Sequence, residues 1–230
     1  HLHHTMGFDV DDLSEALIEH GNYLVSMHDF HLCCPRVNLI TTQGRLCRDY
    51  DCVATCKVPR PGFEKLRAAG STILTGAAKV FCFSDSTRGP IEEVFGSEIR
   101  WEKNEHGVLP MPGAEAVSSE ERGVPGPDRP LRVAFLGTIG PTKGLELVTS
   151  LVQHRTLECG TPVEWHLVGS AEARLPDHVV EHGRYTRTDL PRKIAEADPD
   201  LVAILSIWPE TYCFTADEAL TCGVPVVCTP

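Results

Sequence analysis

The chain has 230 residues and a formal net charge of −11, divided almost evenly between its halves at −5 and −6. Acidity this even excludes a general nucleic-acid binder and a polybasic membrane clamp, both of which need clustered cations. Hydrophobic residues make up 42% and charged residues 23%, the composition of an ordinary globular protein, and no apolar run is long enough to span a bilayer.

In chain order, Asp11 to His20 (DDLSEALIEH) predicts a short amphipathic helix with Leu13, Leu17 and Ile18 on one face and Gly21 as its stop. Tyr23 to Met27 reads as a buried strand, with His28 and Asp29 just past its C-terminal end. Residues 31–60 hold Cys33, Cys34, Cys47, Cys52 and Cys56 among Gly, Pro and charges, and read as a long irregular loop. Loops of that length are usually functional or braced by something. Gly62 to Ala78 reads as a helix interrupted at Gly70, Val80 to Phe83 as a strand, and Ser84 as the cap of the helix after it. The Pro- and Gly-rich stretch 110–130 reads as the domain boundary. The division expected is a partial first domain over 1–112, a linker over 113–130 and a partial second domain over 131–230.

After the linker, strands and helices alternate. Strands are expected at Leu131–Leu136, Val163–Val168 (ended by Gly169), Leu201–Leu205 and Val224–Cys228. Between them, Leu145, Val148, Leu151 and Val152 form one helical stripe. Thr188–Asp189 cap a second helix through Ala197, and a third runs over Thr215–Thr221. Alternation with continuous apolar strands predicts an α/β fold with a parallel sheet covered on both faces. The chain starts without Met and ends on what reads as a buried strand, so both domains are expected to be incomplete.

The turn Gly137-Thr138-Ile139-Gly140-Pro141-Thr142-Lys143-Gly144 offers backbone N–H groups, a helix N-terminus and a cation, which suits a phosphate. It matches neither G-x-x-x-x-G-K-[ST] nor G-x-G-x-x-G, so a plain strand-to-helix turn is equally consistent with it. Glu210 follows a strand and Glu218 lies in the next helix. Carboxylates at the C-terminal edge of a parallel sheet can each accept two sugar hydroxyls, but the spacing alone also fits solvated surface glutamates. Ten cysteines without any mark of secretion favour reduced thiols or a metal over disulfides, and a cytoplasmic location. Cys34, Cys47, Cys52 and Cys56 could hold a structural zinc bracing the loop, although no C-x2-C pair is present. His1, His3 and His4 read as a strand end.

Taken together, Glu210 and Glu218 (E-x7-E), Phe135-Leu136-Gly137 with Pro141-Thr142-Lys143-Gly144, and Glu218-Ala219-Leu220 with Gly223, Pro225, Val226 and Val227 resemble glycosyltransferase family 4, the group 1 retaining enzymes of the GT-B fold. In the first half, His28-Asp29, Cys34-Pro35-Arg36-Val37-Asn38-Leu39-Ile40, Gly44 and Cys47 are similar to bacterial members. The resemblance implies two Rossmann-like domains with parallel sheets. It implies transfer of a sugar, of the hexosyltransferase kind and as in polysaccharide biosynthesis, from a nucleoside-diphosphate sugar to a glycan or lipid-linked acceptor, with no metal needed for the chemistry. Peripheral membrane contact would come through parts outside this chain.

By the same resemblance, Lys143 neutralises the leaving diphosphate, Glu210 faces the donor sugar, Glu218 binds the ribose and His28 reaches the sugar from the acceptor side. Gly137, Thr138, Gly140 and the backbone at Thr211 complete the donor site. Many members carry Arg where this chain has Thr138, and Arg184 is the expected substitute. That departure is also what favours the alternative, a non-catalytic sugar-nucleotide or glycan-binding relic of the same fold. A metal-braced interaction module is a third reading, resting on the cysteine loop alone.

Overall fold

The computed structural model describes residues 1–104, 107, 110–114 and 123–229. They form two compact units: His1–Gly107 with Trp208–Tyr212, and Val108–Ile207 with Cys213–Pro230.

In the first unit, the Asp9 carboxylate accepts from the N–H groups of Asp11 and Asp12 and opens α1 (Val10–His20), which Gly21 closes at φ 76°. Strands β1 (Leu24–Ser26), β2 (Lys79–Cys82) and β3 (Trp101–Lys103) form a parallel sheet in that order. Leu2 adds a parallel bridge to Val25, so the first residues run alongside β1. The loop after β1 has more structure than its composition suggests. It contains an Ile40–Leu46 bridge and the short helix α2 (Cys52–Cys56), and it turns Cys33, Cys34, Cys47 and Cys52 into the core beside Phe30 and Leu39. Cys33 packs there as a small apolar group. Helix α3 (Arg60–Gly76) runs unbroken through Gly70. A Cβ there would lie 2.6 Å from the Leu32 carbonyl oxygen and 2.9 Å from the Phe95 ring, so this glycine permits a close approach and does not interrupt the helix. Helix α4 (Asp85–Phe95) begins after Ser84, whose hydroxyl makes no cap bond to the helix.

In the second unit, β4 (Leu131–Ile139), α5 (Leu145–Leu151), β5 (Val163–Ala171), β6 (Val180–Glu181), α6 (Leu190–Ala197), β7 (Leu201–Ile204), α7 (Phe214–Thr221) and β8 (Val226–Cys228) follow one another. The sheet is wholly parallel, in the order β6-β5-β4-β7-β8. Strand β4 is buried on both faces: Val133 and Phe135 pack with Val148, Trp165 and Leu167, whereas Ala134 and Leu136 pack with Leu190, Ile194 and Ala219. Strands β4 and β5 run three residues further than the apolar pattern predicts, in register through Gly137 opposite Gly169. A Cβ on Gly169 would lie 1.9 Å from the Gly137 carbonyl oxygen, so the glycine lets the strands stay paired where a turn was expected.

Part of the expected linker, residues 115–122, lies outside the described residues. Met111 and Ala114 pack in the second unit's core, and Arg129 pairs with Asp200.

Candidate functional site

In the second unit, strand order reverses at β4: the chain moves outward to β5 and β6, then returns to the other side of β4 for β7 and β8. Open parallel sheets bind ligands outside the C-terminal ends of the strands at such a point. A cleft lies there, lined by Ile139 from β4, Leu205 and Ser206 after β7, Thr215 of α7, and Lys143. Gly137 brings β4 against α7, since a Cβ on it would meet the Thr215 methyl at 3.4 Å.

The turn carrying Lys143 is more closed than an open amide cradle. Residues Pro141–Lys143 form a single 3-10 turn, and Gly144 at φ 76° leads into α5. The N–H groups of Lys143 and Leu145 both donate to the Gly140 carbonyl, at 3.0 and 3.1 Å, and that of Gly144 donates to Pro141 at 3.2 Å. The Glu172 carboxylate lies against Gly140, 2.6 Å from where a Cβ would stand. The amides of Lys143, Gly144 and Leu145 are thus already bonded within the turn, while Lys143 lines the cleft. Thr138 is exposed, with its hydroxyl 3.4 Å from that of Ser170. Arg184 is also exposed.

Glu218 is not part of the cleft lining, but it sits one helical turn beyond Thr215 on α7. The Tyr185 hydroxyl donates to its Oε2 at 3.1 Å. Burial pushes the Tyr185 phenol well above its usual range, with the Glu218 charge adding to the shift, so the phenol stays protonated and stays a donor. Tyr185 was no candidate in the sequence, because its partner is 33 residues away.

The first unit holds His28, Glu210 and Thr211 together. The Thr211 hydroxyl donates to the His28 carbonyl at 2.8 Å, and Ser84 and Ser86 donate to the Glu210 carbonyl at 3.2 and 2.9 Å. Trp208 packs edge-on against Phe30 at 6.3 Å. Thr211 is buried, with its side chain committed to His28. His28 borders a small pocket lined by His3, His4, Thr5 and Asp29 together with the apolar Leu2, Val25, Met27 and Leu32.

Cys34, Cys47 and Cys52, three of the residues named for a structural zinc, are buried in the first unit's core, and Cys56 is half-buried. Among the described residues, no three His, Cys, Asp or Glu side chains are arranged to hold a metal ion. The Cys47 thiol donates to Asp49 at 3.3 Å, and burial together with that carboxylate pushes it up to about 11. Cys34 instead receives the Cys52 S–H and the N–H groups of Arg36 and Leu39, which lower its thiol below the ordinary cysteine value. Among the described residues, no helix is long and apolar enough to cross a membrane.

No family model matches the chain, and no curated protein matches it. Solved structures do. The lipopolysaccharide outer core galactosyltransferase WaaB, in its apo form, is similar with a TM-score of 0.54 at 15% identity, over 96% of this chain and 60% of that one. HepE of Anabaena, in complex with UDP and glucose, gives 0.52 at 17% identity, over 95% and 61%. Sucrose-phosphate synthase from Thermosynechococcus elongatus gives 0.54 at 18%, over 95% and 59%. The chain has the α/β fold of GT-B glycosyltransferases, with Rossmann-like parallel sheets. It spans between 59% and 61% of the length of these three structures.

Proposed function

We propose that the protein is a retaining glycosyltransferase of family 4 that moves a sugar from a nucleoside-diphosphate sugar to a glycan or lipid-linked acceptor. The observation that carries this reading is the position of Lys143: it lines the cleft at the point where strand order reverses around β4. The fold is shared with a structure that holds UDP and glucose, which supports a nucleotide-sugar donor.

Departure of a nucleoside diphosphate develops negative charge on its phosphates. A cation already fixed near them stabilises that charge without reorganisation, which is the role assigned to Lys143. Glu218, oriented by Tyr185, is suited to accept ribose hydroxyls in ground and transition states alike. Glu210 is assigned to the donor sugar and His28 to a sugar hydroxyl. Arg184 remains the candidate for a second phosphate cation where Thr138 replaces the usual arginine.

The test is calorimetric titration of the purified protein with UDP, GDP and ADP, followed by assay of sugar release and transfer. Saturable binding of one of them, weakened in Lys143→Ala, is the expected result. Absence of binding by all three at millimolar concentration overturns the reading.

A further inference from the structure

We propose that Tyr185 is a positioning residue that holds the Glu218 carboxylate ready for the ribose of a nucleoside diphosphate, so that the site selects ribonucleotides over deoxynucleotides; this rests on the reading of Glu218 as the ribose ligand. Two elements far apart in the chain bring the pair together. Glu218 stands on α7, where the next residue, Ala219, is buried in the core and the Glu218 carbonyl accepts the Cys222 N–H at 3.1 Å. Tyr185 stands between β6 and α6, on a segment tied at both ends. On one side, the His182 N–H donates to the Leu167 carbonyl of β5 at 2.8 Å, and the Lys193 ammonium donates to the His182 carbonyl. On the other, the Thr186 carbonyl accepts from the N–H groups of Asp189 and Leu190 at 3.0 and 3.1 Å. The Tyr185 ring packs against the core cluster that holds Leu190, Ile194 and Ala219, which gives its hydroxyl a fixed place.

That hydroxyl donates to Glu218 Oε2 at 3.1 Å, and among the described residues no other hydrogen bond reaches the carboxylate. Glu218 is only half-buried. Its carboxylate keeps Oε1 and one lone pair of Oε2 for a ligand, which is enough for two ribose hydroxyls.

A glutamate with no partner spreads over several staggered rotamers. Its carboxylate is then in place for only part of the time, and the affinity of a ligand that needs it falls by that fraction. One bond from a ring fixed in the core removes this loss. A phenol is suited to the task because it donates without bringing a counter-charge that would compete with the ligand for the carboxylate. A nucleotide without ribose hydroxyls gains nothing from a carboxylate held in this way.

The test is calorimetric titration of the wild type and Tyr185→Phe with UDP, GDP and ADP, and with the 2′,3′-dideoxy form of each. The variant keeps the ring in the core and removes one oxygen. In the wild type, the ribonucleotide that binds is expected to do so about 10- to 100-fold more tightly than its dideoxy form, the scale of a hydrogen bond to a charged group. In Tyr185→Phe, ribonucleotide affinity falls about 3- to 10-fold, the effect of releasing one or two torsions with three wells each, while dideoxy affinity stays as it was. Ribonucleotide affinity that is unchanged, or that falls equally for both forms, overturns the proposal and leaves the donor reading intact. A second measurement needs no ligand: urea unfolding of Tyr185→Phe, Glu218→Leu and the double variant. A double variant less destabilised than the two single losses combined supports the bond, and strict additivity overturns it. If the wild type binds none of the three nucleotides, the donor reading fails and the selection of ribose with it, while the urea series still decides whether Tyr185 holds Glu218.

Discussion

Gly144 joins the turn that carries Lys143 to α5, and the space around it sets how far that turn can move. At φ 76° its Cβ position is 2.0 Å from the Leu205 carbonyl oxygen, 2.9 Å from the carbonyl carbon and 3.0 Å from the Leu205 Cβ. In Gly144→Ala, the end of β7 and the turn must separate by about 1.4 Å to restore ordinary contact at about 3.4 Å. The left-handed backbone costs about 1–2 kcal/mol for alanine, and forcing an extra methyl into a filled space adds about 1–3 kcal/mol. Gly160→Ala is the matching control. It has φ 88° but nothing within 4 Å of its Cβ position, so it carries the backbone cost alone. At about 2–4 °C per kcal/mol for a chain of this size, Gly144→Ala is expected to melt about 2–12 °C below Gly160→Ala by scanning calorimetry. UDP binding should also weaken in Gly144→Ala only, because Lys143 is displaced. Equal melting temperatures for the two variants would refute the argument that β7 blocks the turn.

Lys143→Ala is expected to lower turnover by about 10²- to 10³-fold, the scale of losing one preorganised charge-stabilising donor; unchanged turnover removes the leaving-group role. Glu218→Gln is expected to raise the donor KM with little change in kcat, since a ribose contact exists in both ground and transition states. The reverse pattern in steady-state kinetics points to a chemical role for this carboxylate. His166 and His182 are held neutral by burial, which lowers both below the ordinary histidine value of 6.5, and their rings meet at 3.0 Å. The unfolded chain therefore binds more protons than the folded one just below pH 6.5, so stability is fully present above that pH and is lost as pH falls. Urea midpoints measured from pH 7.5 to 5 should decline, and His166→Phe should flatten the decline.

What could be read from the sequence was local. Leu131 to Leu136 announces a strand buried on both faces, and the structure places alternate residues of β4 in two separate core clusters. The end of that strand could not be read, because Gly137 stays in the ladder only through Gly169 on the neighbouring strand. Strands β3 and β6, three and two residues long, carry no apolar run to announce them. Gly70 looked like a helix break because the Leu32 carbonyl that it accommodates is remote in sequence. In the candidate site, the turn that carries Lys143 could be read from its glycines and proline. The bonds that hold the other candidate residues could not: Tyr185 to Glu218 spans 33 residues, His3 to His28 spans 25, and Thr211 to His28 spans 183. Nor could the burial of Cys33, Cys34, Cys47 and Cys52 in a core with Phe30 and Leu39 be read, since core burial leaves no signature in spacing.

The segment Trp208–Tyr212 belongs with the first unit although it is made long after it. On a ribosome, β1, β2 and β3 emerge early, but Trp208, which packs on Phe30, and Thr211, which binds the His28 carbonyl, arrive only after four of the second unit's five strands. At a synthesis rate of about 5–20 residues per second, the stretch from Gly107 to Tyr212 takes roughly 5–20 s. Through that interval the edge of Phe30 lacks Trp208, and the hydroxyls of Ser84 and Ser86 have each other but not the Glu210 carbonyl. The first unit is therefore completed only after β4, β5, β6 and β7 of the second have been made.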